Sequence, residues 1–299
     1  MDKIGAVSRR INHIARGFIH IAHRHTRPAD LECDLSPYLP GILKTARFGY
    51  DGKGQLPIQS TEDARRAFAA LGSLPSVLEK RLELELELSV IVARTASGEV
   101  AVFPVAENHH SHGVLELSIL PARIAPELSA RAQRKAIHLA ATMDYVGVLT
   151  VEFFVLLTGE LIVNELAPRP HNSGHATIEA CVTSQFEQQV RTLCGLPLGS
   201  PELVRSAVMV NLLGQLWGAD GAPPDWEGVL QVPCAKLRLY GKELAWPGRK
   251  MGHYCVLAHE VEAALKEAAE LRHRLAPPND LISNGTAGSC RSAAGSEPG

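Results

Sequence analysis

Glu152 and Glu165 are the residues whose types and spacing most directly suggest chemistry. The segment VEFFVLLTGELIVNE (151–165) reads as two strands joined by a tight turn at Thr158-Gly159. A turn centred there sets Glu152 directly opposite Glu165, with Cβ atoms about 4.5–5.5 Å apart. The same register puts Phe154, Leu156, Leu161 and Val163 on the carboxylates' face, so part of that face is expected to be buried. Like charges so placed repel in a sheet, and each desolvated carboxylate costs on the order of several kcal/mol without compensation. A divalent cation removes both penalties. Hard oxygen ligands suit Mg²⁺, which is commonly held by one or two carboxylates plus substrate phosphates. Asn164 adds a neutral polar group at the same end. The competing reading is a surface pair held apart by water or a lysine; the geometry favours the metal.

Two loops carry further candidates. Residues 49–55 read GYDGKGQ, with Gly49, Gly52 and Gly54 able to bring backbone N–H groups close to phosphate oxygens. Lys53 adds a mobile cation, and Lys44 stands on the strand before the loop. The spacing matches neither a Walker A sequence nor a dinucleotide fingerprint, and an ordinary Asp-Gly hairpin turn accounts for it equally well. The second loop, PRPHNSGH (168–175), follows a strand, is stiffened by two prolines and is dense in donors. Arg169 is suited to gripping a carboxylate or phosphate through two hydrogen bonds. A solvated connector is the alternative there.

Positioning these groups requires an orderly run of elements from Leu39 to about Leu275. Strands are expected at Gly41–Ala46, Gln55–Gln59, Ser76–Leu82, Glu87–Thr95 and Val100–Ala106. Ser60-Thr61-Glu62-Asp63 has the form of a helix start, with the helix running to about Leu71. Further helices are expected at Pro126–Met143, His175–Leu193 and Glu260–Leu275. A hairpin over Val146–Leu166 and strands at Ala207–Leu213 and Ala235–Tyr240 complete the pattern. Strand runs with interspersed helices imply an α+β fold with mainly antiparallel sheets. The expected division is an atypical basic segment (1–36), a nucleotide-binding domain (37–200), a small β-rich C-terminal domain (201–276) and a disordered tail (277–299).

The first 29 residues carry six Lys and Arg against one acid, with Ile4, Val7, Ile11, Ile14, Phe18 and Ile21 recurring as on one helix face. An organellar transit peptide, an amphipathic helix and an arbitrary reading-frame product all fit this composition. The net charge of −2 gives no footprint for nucleic acid, and no apolar run is long enough for a membrane span. Six scattered cysteines without C-x-x-C spacing argue against zinc knuckles and disulfides, and for a reducing, cytoplasmic setting.

Five stretches together resemble the 5-(carboxyamino)imidazole ribonucleotide synthase family of ATP-grasp ligases: ILKTARFGYDGKGQ, LEKRL with ELSVIVAR, PVAENHHSHGVL, VEFFVLLTGELIVNELAPRPHNSGHATIEAC and YGKELAWPGRKMGH. The resemblance spans about residues 37–275. It implies an ATP-grasp fold and ATP-driven carboxylation of 5-aminoimidazole ribonucleotide by bicarbonate through carboxyphosphate. It further implies that Lys44 and the loop Gly49, Tyr50, Asp51, Gly52, Lys53, Gly54 and Gln55 hold ATP phosphates. Glu79, Lys80, Arg81 and Leu82 would line the adenine, Glu87 would take the ribose, and His110 and Asn164 would face the nucleotide. Glu152 and Glu165 would carry Mg²⁺. Arg169, His171 and Asn172 would be catalytic and, with Ser173 and His175, would meet bicarbonate and the ribonucleotide. Lys242, Arg249 and Lys250 would hold the ribonucleotide phosphate, although a basic surface turn has the same composition. Small-molecule substrates and a homodimer are the implied partners. No activated Ser or Cys nucleophile is in this set, in keeping with a phosphoryl transfer that relies on positioning and charge neutralisation. The chain departs from the family in lacking the glycine-rich turn of a Rossmann-like front domain. It also has Arg238 where histidine is usual and Trp246 where a basic residue is common.

Overall fold

Alternation of polar and apolar residues puts more of this chain into strands than into helices, and the computed structural model describes residues 23–26, 28–46, 54–218 and 221–275. The basic segment 1–22, loop residues 49–53 and the tail from 276 lie outside the described residues. In chain order the elements are β1 (His23–Thr26), β2 (Gly41–Thr45), β3 (Gln55–Ile58), α1 (Thr61–Ala70), β4 (Ser76–Lys80), β5 (Leu84–Arg94) and β6 (Val100–Val102). Then come β7 (Ala106–Ser111), β8 (Val114–Leu120), α2 (Pro126–Thr142), β9 (Gly147–Leu156), β10 (Leu161–Ala167), α3 (Thr177–Ala180) and α4 (Gln185–Leu193). The last are β11 (Ser206–Leu213), α5 (Glu227–Leu230), β12 (Ala235–Leu239), β13 (Lys250–Ala258) and α6 (Val261–Leu275).

The first sheet has the order β1-β4-β2-β3 and packs Leu43, Ile58 and Leu78 against Ala64, Ala67 and Phe68 of α1. That helix starts as its sequence requires: Ser60 Oγ accepts from Asp63 N at 3.1 Å, satisfying one of the free amides of the first turn. The second sheet has nine strands in the order β10-β9-β5-β7-β8-β11-β13-β12, with β6 beside β5, and its pairings are antiparallel.

The period of two divides this large sheet. Leu88, Val90, Val92, Val151, Phe153 and Val155 point to one side, onto Ala132, Ala136, Leu139 and Ala140 of α2. Val208, Val210, Leu212, Tyr254 and Val256 join the same side beneath Ala264, Ala268 and Leu271 of α6. The alternate residues Ile91, Ala93, Ala106, Met209 and Cys255 face the other way, under Ala176, Ala180 and Cys181. The chain is thus α+β with antiparallel sheets and a strand-rich C-terminal region.

Three expectations are corrected. The strand expected over Val100–Ala106 divides into β6 and β7, because Pro104 has no N–H to donate to a ladder. The long helix expected over His175–Leu193 breaks into a 3₁₀ turn (Asn172–Gly174), α3 and α4. At the break, Val182 N and Thr183 N donate to Glu202 O and Ser200 O, and Ser184 Oγ caps α4 by accepting from Glu187 N at 3.1 Å. The β9–β10 turn is a three-residue loop: Gly159 at φ +78° bonds back to Leu156 O, and Leu156 N donates to Glu160 O. This loop pairs Leu161 with Val155 and Val163 with Phe153, so Leu161 and Val163 lie on the core side, not beside the glutamates. An irregularity between Val163 and Glu165 then absorbs Asn164 as an extra residue and restores Glu165 to its place opposite Glu152.

On β7, the buried Glu107 accepts from Arg123 Nε at 3.1 Å, Arg123 Nη2 at 2.5 Å and Arg123 N at 3.1 Å, and contacts His109 Nε2 at 2.8 Å. Burial alone would raise its pKa, but the bonds from His109 and Arg123 outweigh that and hold it at about 2. Its native value lies below the ordinary carboxylate range, so its contribution is present above about pH 4.5 and is lost as pH falls toward about 2. Glu107→Ala should cost about 1–3 kcal/mol at pH 7, and the loss should shrink below about pH 4, as read by urea denaturation across pH.

Candidate functional site

Glu152 lies near one end of the large sheet's second face, is 9% exposed, and stands across the ladder from the exposed Glu165. Its pKa is raised to about 7, first by burial and next by the charge of Glu165. Two carboxylates sharing one face, one of them stripped of water, form a donor set that a hard divalent cation would relieve. Without the extra residue Asn164, Glu165 would turn to the core side and the pair would not exist. Among the described residues no group of three or more His, Cys, Asp and Glu is arranged to hold a metal. Two carboxylates nevertheless suffice where substrate phosphates complete the shell.

The loop after β10 lies over Glu152. His171 Nε2 is 3.3 Å from Glu152 Oε1. On its other side, Ser173 N donates to His171 Nδ1 at 3.4 Å, and Ser173 Oγ is 3.0 Å from the same nitrogen. Ser89 Oγ in turn donates to Ser173 Oγ at 2.8 Å. A coherent assignment runs Ser89 to Ser173 to His171 Nδ1, leaving the ring proton on Nε2, toward Glu152. The imidazole is neutral, its pKa lowered to about 3 by burial and then by the charges of Arg169 and Lys250.

Buried amides hold the loop's backbone. Gln185, at the start of α4, accepts from His171 N at 2.9 Å and donates to His171 O at 2.7 Å. Asn172 and Asn211 exchange side-chain hydrogen bonds of 3.0 and 2.7 Å, and Asn211 also donates to Leu115 O at 2.8 Å. Gly174 is required by space: a Cβ there would lie 2.1 Å from Ile91 Cδ1 and 2.6 Å from Gln185 Oε1.

On the neighbouring strands, His110 Nδ1 is 3.0 Å from Glu87 Oε2. The approach is poorly directed for a hydrogen bond and leaves Nδ1 without one, so the contact is an ion pair only when the ring is protonated. Burial lowers the His110 pKa, but Glu87 and then Glu152 outweigh it and raise the value overall. The charge of Lys250 bears on His110, Glu152, His171 and His175 together, placing it at the centre of the group. His175 (about 4) and His253 (about 3) are held neutral first by burial, and their rings lie tilted against each other with centroids 5.0 Å apart. Tyr240 Oη is 2.8 Å from His253 Nδ1.

The structure therefore gathers Glu87, His110, Glu152, Glu165, Arg169, His171, Asn172, Ser173, His175 and Lys250 at one end of one sheet face. The other expected residues make contacts of their own. Lys44 and Glu79 are on the small sheet and pair with each other at 2.6 Å. Gln55 is opposite Lys44, and Gly54 O accepts from Thr45 N. Lys80 and Arg81 are exposed, with Leu82 following in the connection to β5. Lys242 donates to Lys250 O at 2.6 Å, and Arg249 lies over the Trp246 ring at 3.9 Å. Gly49, Tyr50, Asp51, Gly52 and Lys53 are outside the described residues.

Sequence reasoning missed Ser89, Gln185, Asn211 and His253. Asn211 carried a signal, being a lone amide in the apolar run AVMVNLLG. A cavity of about 450 Å³ lined by Pro104, Pro121, Ile124 and Gln133 has Glu202 as its sole ionisable side chain. It includes none of the gathered groups, and the carboxylate pair is the candidate site.

Asn211→Leu should strand the Asn172 amide and Leu115 O, at about 1–3 kcal/mol for each buried group left unpaired; urea denaturation reads the loss.

The chain matches the family description "ATP-grasp domain" over residues 29–186 and "Phosphoribosylaminoimidazole carboxylase C-terminal domain" over 207–267. It is 44% identical over 229 residues to the N5-carboxyaminoimidazole ribonucleotide synthase of Bacillus subtilis, covering 77% of this chain and 59% of that protein. It is similar to the crystal structure of an N5-carboxyaminoimidazole ribonucleotide synthetase in complex with ADP (TM-score 0.78, 43% identity, 89% of this chain and 69% of that one). It is also similar to the Aspergillus clavatus synthase in complex with ADP and 5-aminoimidazole ribonucleotide (TM-score 0.78, 32% identity, 90% and 71%). The chain thus spans about three fifths of the length of the Bacillus protein.

Proposed function

The chain belongs to the ATP-grasp family, and from that premise we propose that it uses ATP to join bicarbonate to the exocyclic amine of 5-aminoimidazole ribonucleotide. The products are 5-(carboxyamino)imidazole ribonucleotide, ADP and phosphate, a step of purine (IMP) biosynthesis. The observation that carries this reading is the Arg169–His175 loop pinned over a buried glutamate that faces a second glutamate.

Mg²⁺ bound by Glu152 and Glu165 would supply charge neutralisation of the nucleotide phosphates. Lys44 and the 49–55 loop hold those phosphates, residues 79–82 flank the adenine, Glu87 takes the ribose hydroxyls, and His110 and Asn164 face the nucleotide. A bicarbonate oxygen attacks the γ-phosphorus, and ADP leaves. The resulting carboxyphosphate gives up phosphate as the amine of the ribonucleotide takes the carboxyl carbon and loses a proton. Arg169 is the cation for the carboxyl group. His171, neutral and protonated on Nε2, presents a proton at its Glu152 side and accepts from Ser173 at the other, so its part is donation and orientation. Asn172, Ser173 and His175 orient the ribonucleotide, whose phosphate is met by Lys242, Arg249 and Lys250. The partners are small molecules, with no nucleic acid, and a second copy of the chain forms a homodimer in a reducing cytoplasmic setting. No helix among the described residues is long and apolar enough to cross a membrane.

The alternative reading is nucleotide binding without turnover. ADP release measured with ATP, bicarbonate and 5-aminoimidazole ribonucleotide separates the two. The carboxylation reading expects release that needs both co-substrates and that falls at least about a hundredfold in Glu165→Ala. ATP binding with no release would support the second reading, and full turnover of Glu165→Ala would remove the metal assignment.

A further inference from the structure

The segment Trp246-Pro247-Gly248-Arg249 has the composition of a tight turn, with proline second and third a glycine able to take positive φ. That turn forms: Gly248 sits at φ +79°, and Arg249 N donates to Trp246 O at 3.0 Å. A turn closed in this way brings its first and last residues side by side. The Arg249 guanidinium carbon lies 3.9 Å from the centre of the Trp246 ring. Contacts from the end of β11 fix the turn in place. Gly248 N donates to Gln215 Oε1 at 3.0 Å, and Gly214 N donates to Arg249 O at 2.8 Å. A Cβ on Gly214 would lie 2.2 Å from Trp246 O, so the close approach requires glycine there. Arg249 Nη1 also donates to Leu244 O at 2.5 Å. Lys242 rests on an aromatic ring in the same way, its Nζ 5.5 Å from the centre of Tyr240. Trp246 itself is 43% exposed, so core packing does not account for its place.

We propose that Trp246 is a positioning residue, an aromatic rest that holds Arg249 ready for the phosphate of the ribonucleotide. This rests on the reading that Arg249 meets that phosphate, and adds the group that aims it. An unrestrained arginine samples many rotamers and gives up that freedom when it binds an anion. Here the ring fixes the guanidinium plane beforehand, through attraction between the cation and the ring's negative face. The stack occupies one face of the guanidinium and leaves its edge, where the N–H groups point, for a phosphate. Leu244 O takes one N–H of that edge and so fixes rotation within the plane as well. Arg249 directly precedes Lys250, whose charge bears on His110, Glu152, His171 and His175. In the family the chain resembles, a basic residue is common at position 246. This chain exchanges a second cation for a fixed first one.

Calorimetric titration of the full chain with ribose 5-phosphate, a phosphomonoester that needs no turnover, tests the proposal, with ATP titrated in parallel. Trp246→Ala should weaken ribose 5-phosphate about threefold to tenfold and leave the affinity for ATP alone. Trp246→Phe, which keeps an aromatic face, should recover most of that loss. Arg249→Ala should weaken binding further, and in that background Trp246→Ala should add nothing. Native affinity in Trp246→Ala overturns the proposal, as does an equal loss of ATP affinity, which would make Trp246 a folding residue. The same loss from Trp246→Ala without Arg249 also overturns it, since the ring would then touch the ligand directly. ADP release with bicarbonate and 5-aminoimidazole ribonucleotide judges the carboxylation reading separately. A native chain that follows the binding pattern yet releases no ADP keeps the clamp and loses the carboxylation. One that releases ADP but binds no ribose 5-phosphate keeps the carboxylation and loses the clamp.

Discussion

One buried carboxylate beside an exposed one constrains the rest of this structure. Glu152 has lost most of its water, faces Glu165 across the ladder, and is approached by His171 at 3.3 Å. Burying a charge is costly unless it is paired or neutralised. Here the pKa rises to about 7, so the pair tends to hold a proton when no cation neutralises it. The surrounding elements hold this unfavourable arrangement in place. The hydrophobic side of β9 and β10 is packed onto α2, and the strands cannot rotate to carry Glu152 to solvent without exposing Phe153 and Val155.

The large number of buried polar groups near the pair has the same origin. Ser89, Ser173, Gln185 and Asn211 are nearly inaccessible, yet each has found a partner on the loop that covers Glu152. Satisfied networks of this kind fix one arrangement of a loop, because breaking any member leaves a desolvated group without a bond. His171, His175 and His253 follow the same logic from the cationic side. Burial, with Arg169, Lys250 and Arg238 close by, keeps all three neutral. The site thus pairs fixed cations with neutral imidazoles, a combination suited to anionic ligands whose charge is matched by lysine and arginine and whose orientation is set by hydrogen bonds.

How much of this was legible in the sequence depends on whether the signal was local. The Glu152–Glu165 pairing was, because a hairpin is a local structure. Even so, the expected two-residue turn was wrong by one residue, and the expectation survived because the extra residue Asn164 compensates for the three-residue loop closed by Gly159. The core-facing neighbours were consequently assigned to the wrong side. The break in the helix expected over His175–Leu193 was not legible: it depends on Glu202 and Ser200 carbonyls arriving from a later segment. Strands β8 and β13 also escaped notice, although VLELSIL and KMGHYCVLA have strand-like composition. Each pairs with its neighbour in the chain, β7 or β12, and β11, which pairs with both β8 and β13, joins them into one sheet.

Helix α4 shows why periodicity alone assigns a face but not its direction. A stripe of Phe186, Val190 and Leu193 reads as a core-facing surface in any single-chain argument. The opposite face, however, carries glutamines that bond to backbone groups of Gly199, Val148 and His171. An unpaired buried amide or carbonyl costs more than an exposed methyl group, since apolar atoms already make up most of a protein's surface while buried polar groups are almost always bonded. The competition for the inward position is therefore won by the glutamines. That outcome ties two features together: the helix that leaves an apolar stripe at the surface does so because its polar side is needed to anchor the loop over Glu152.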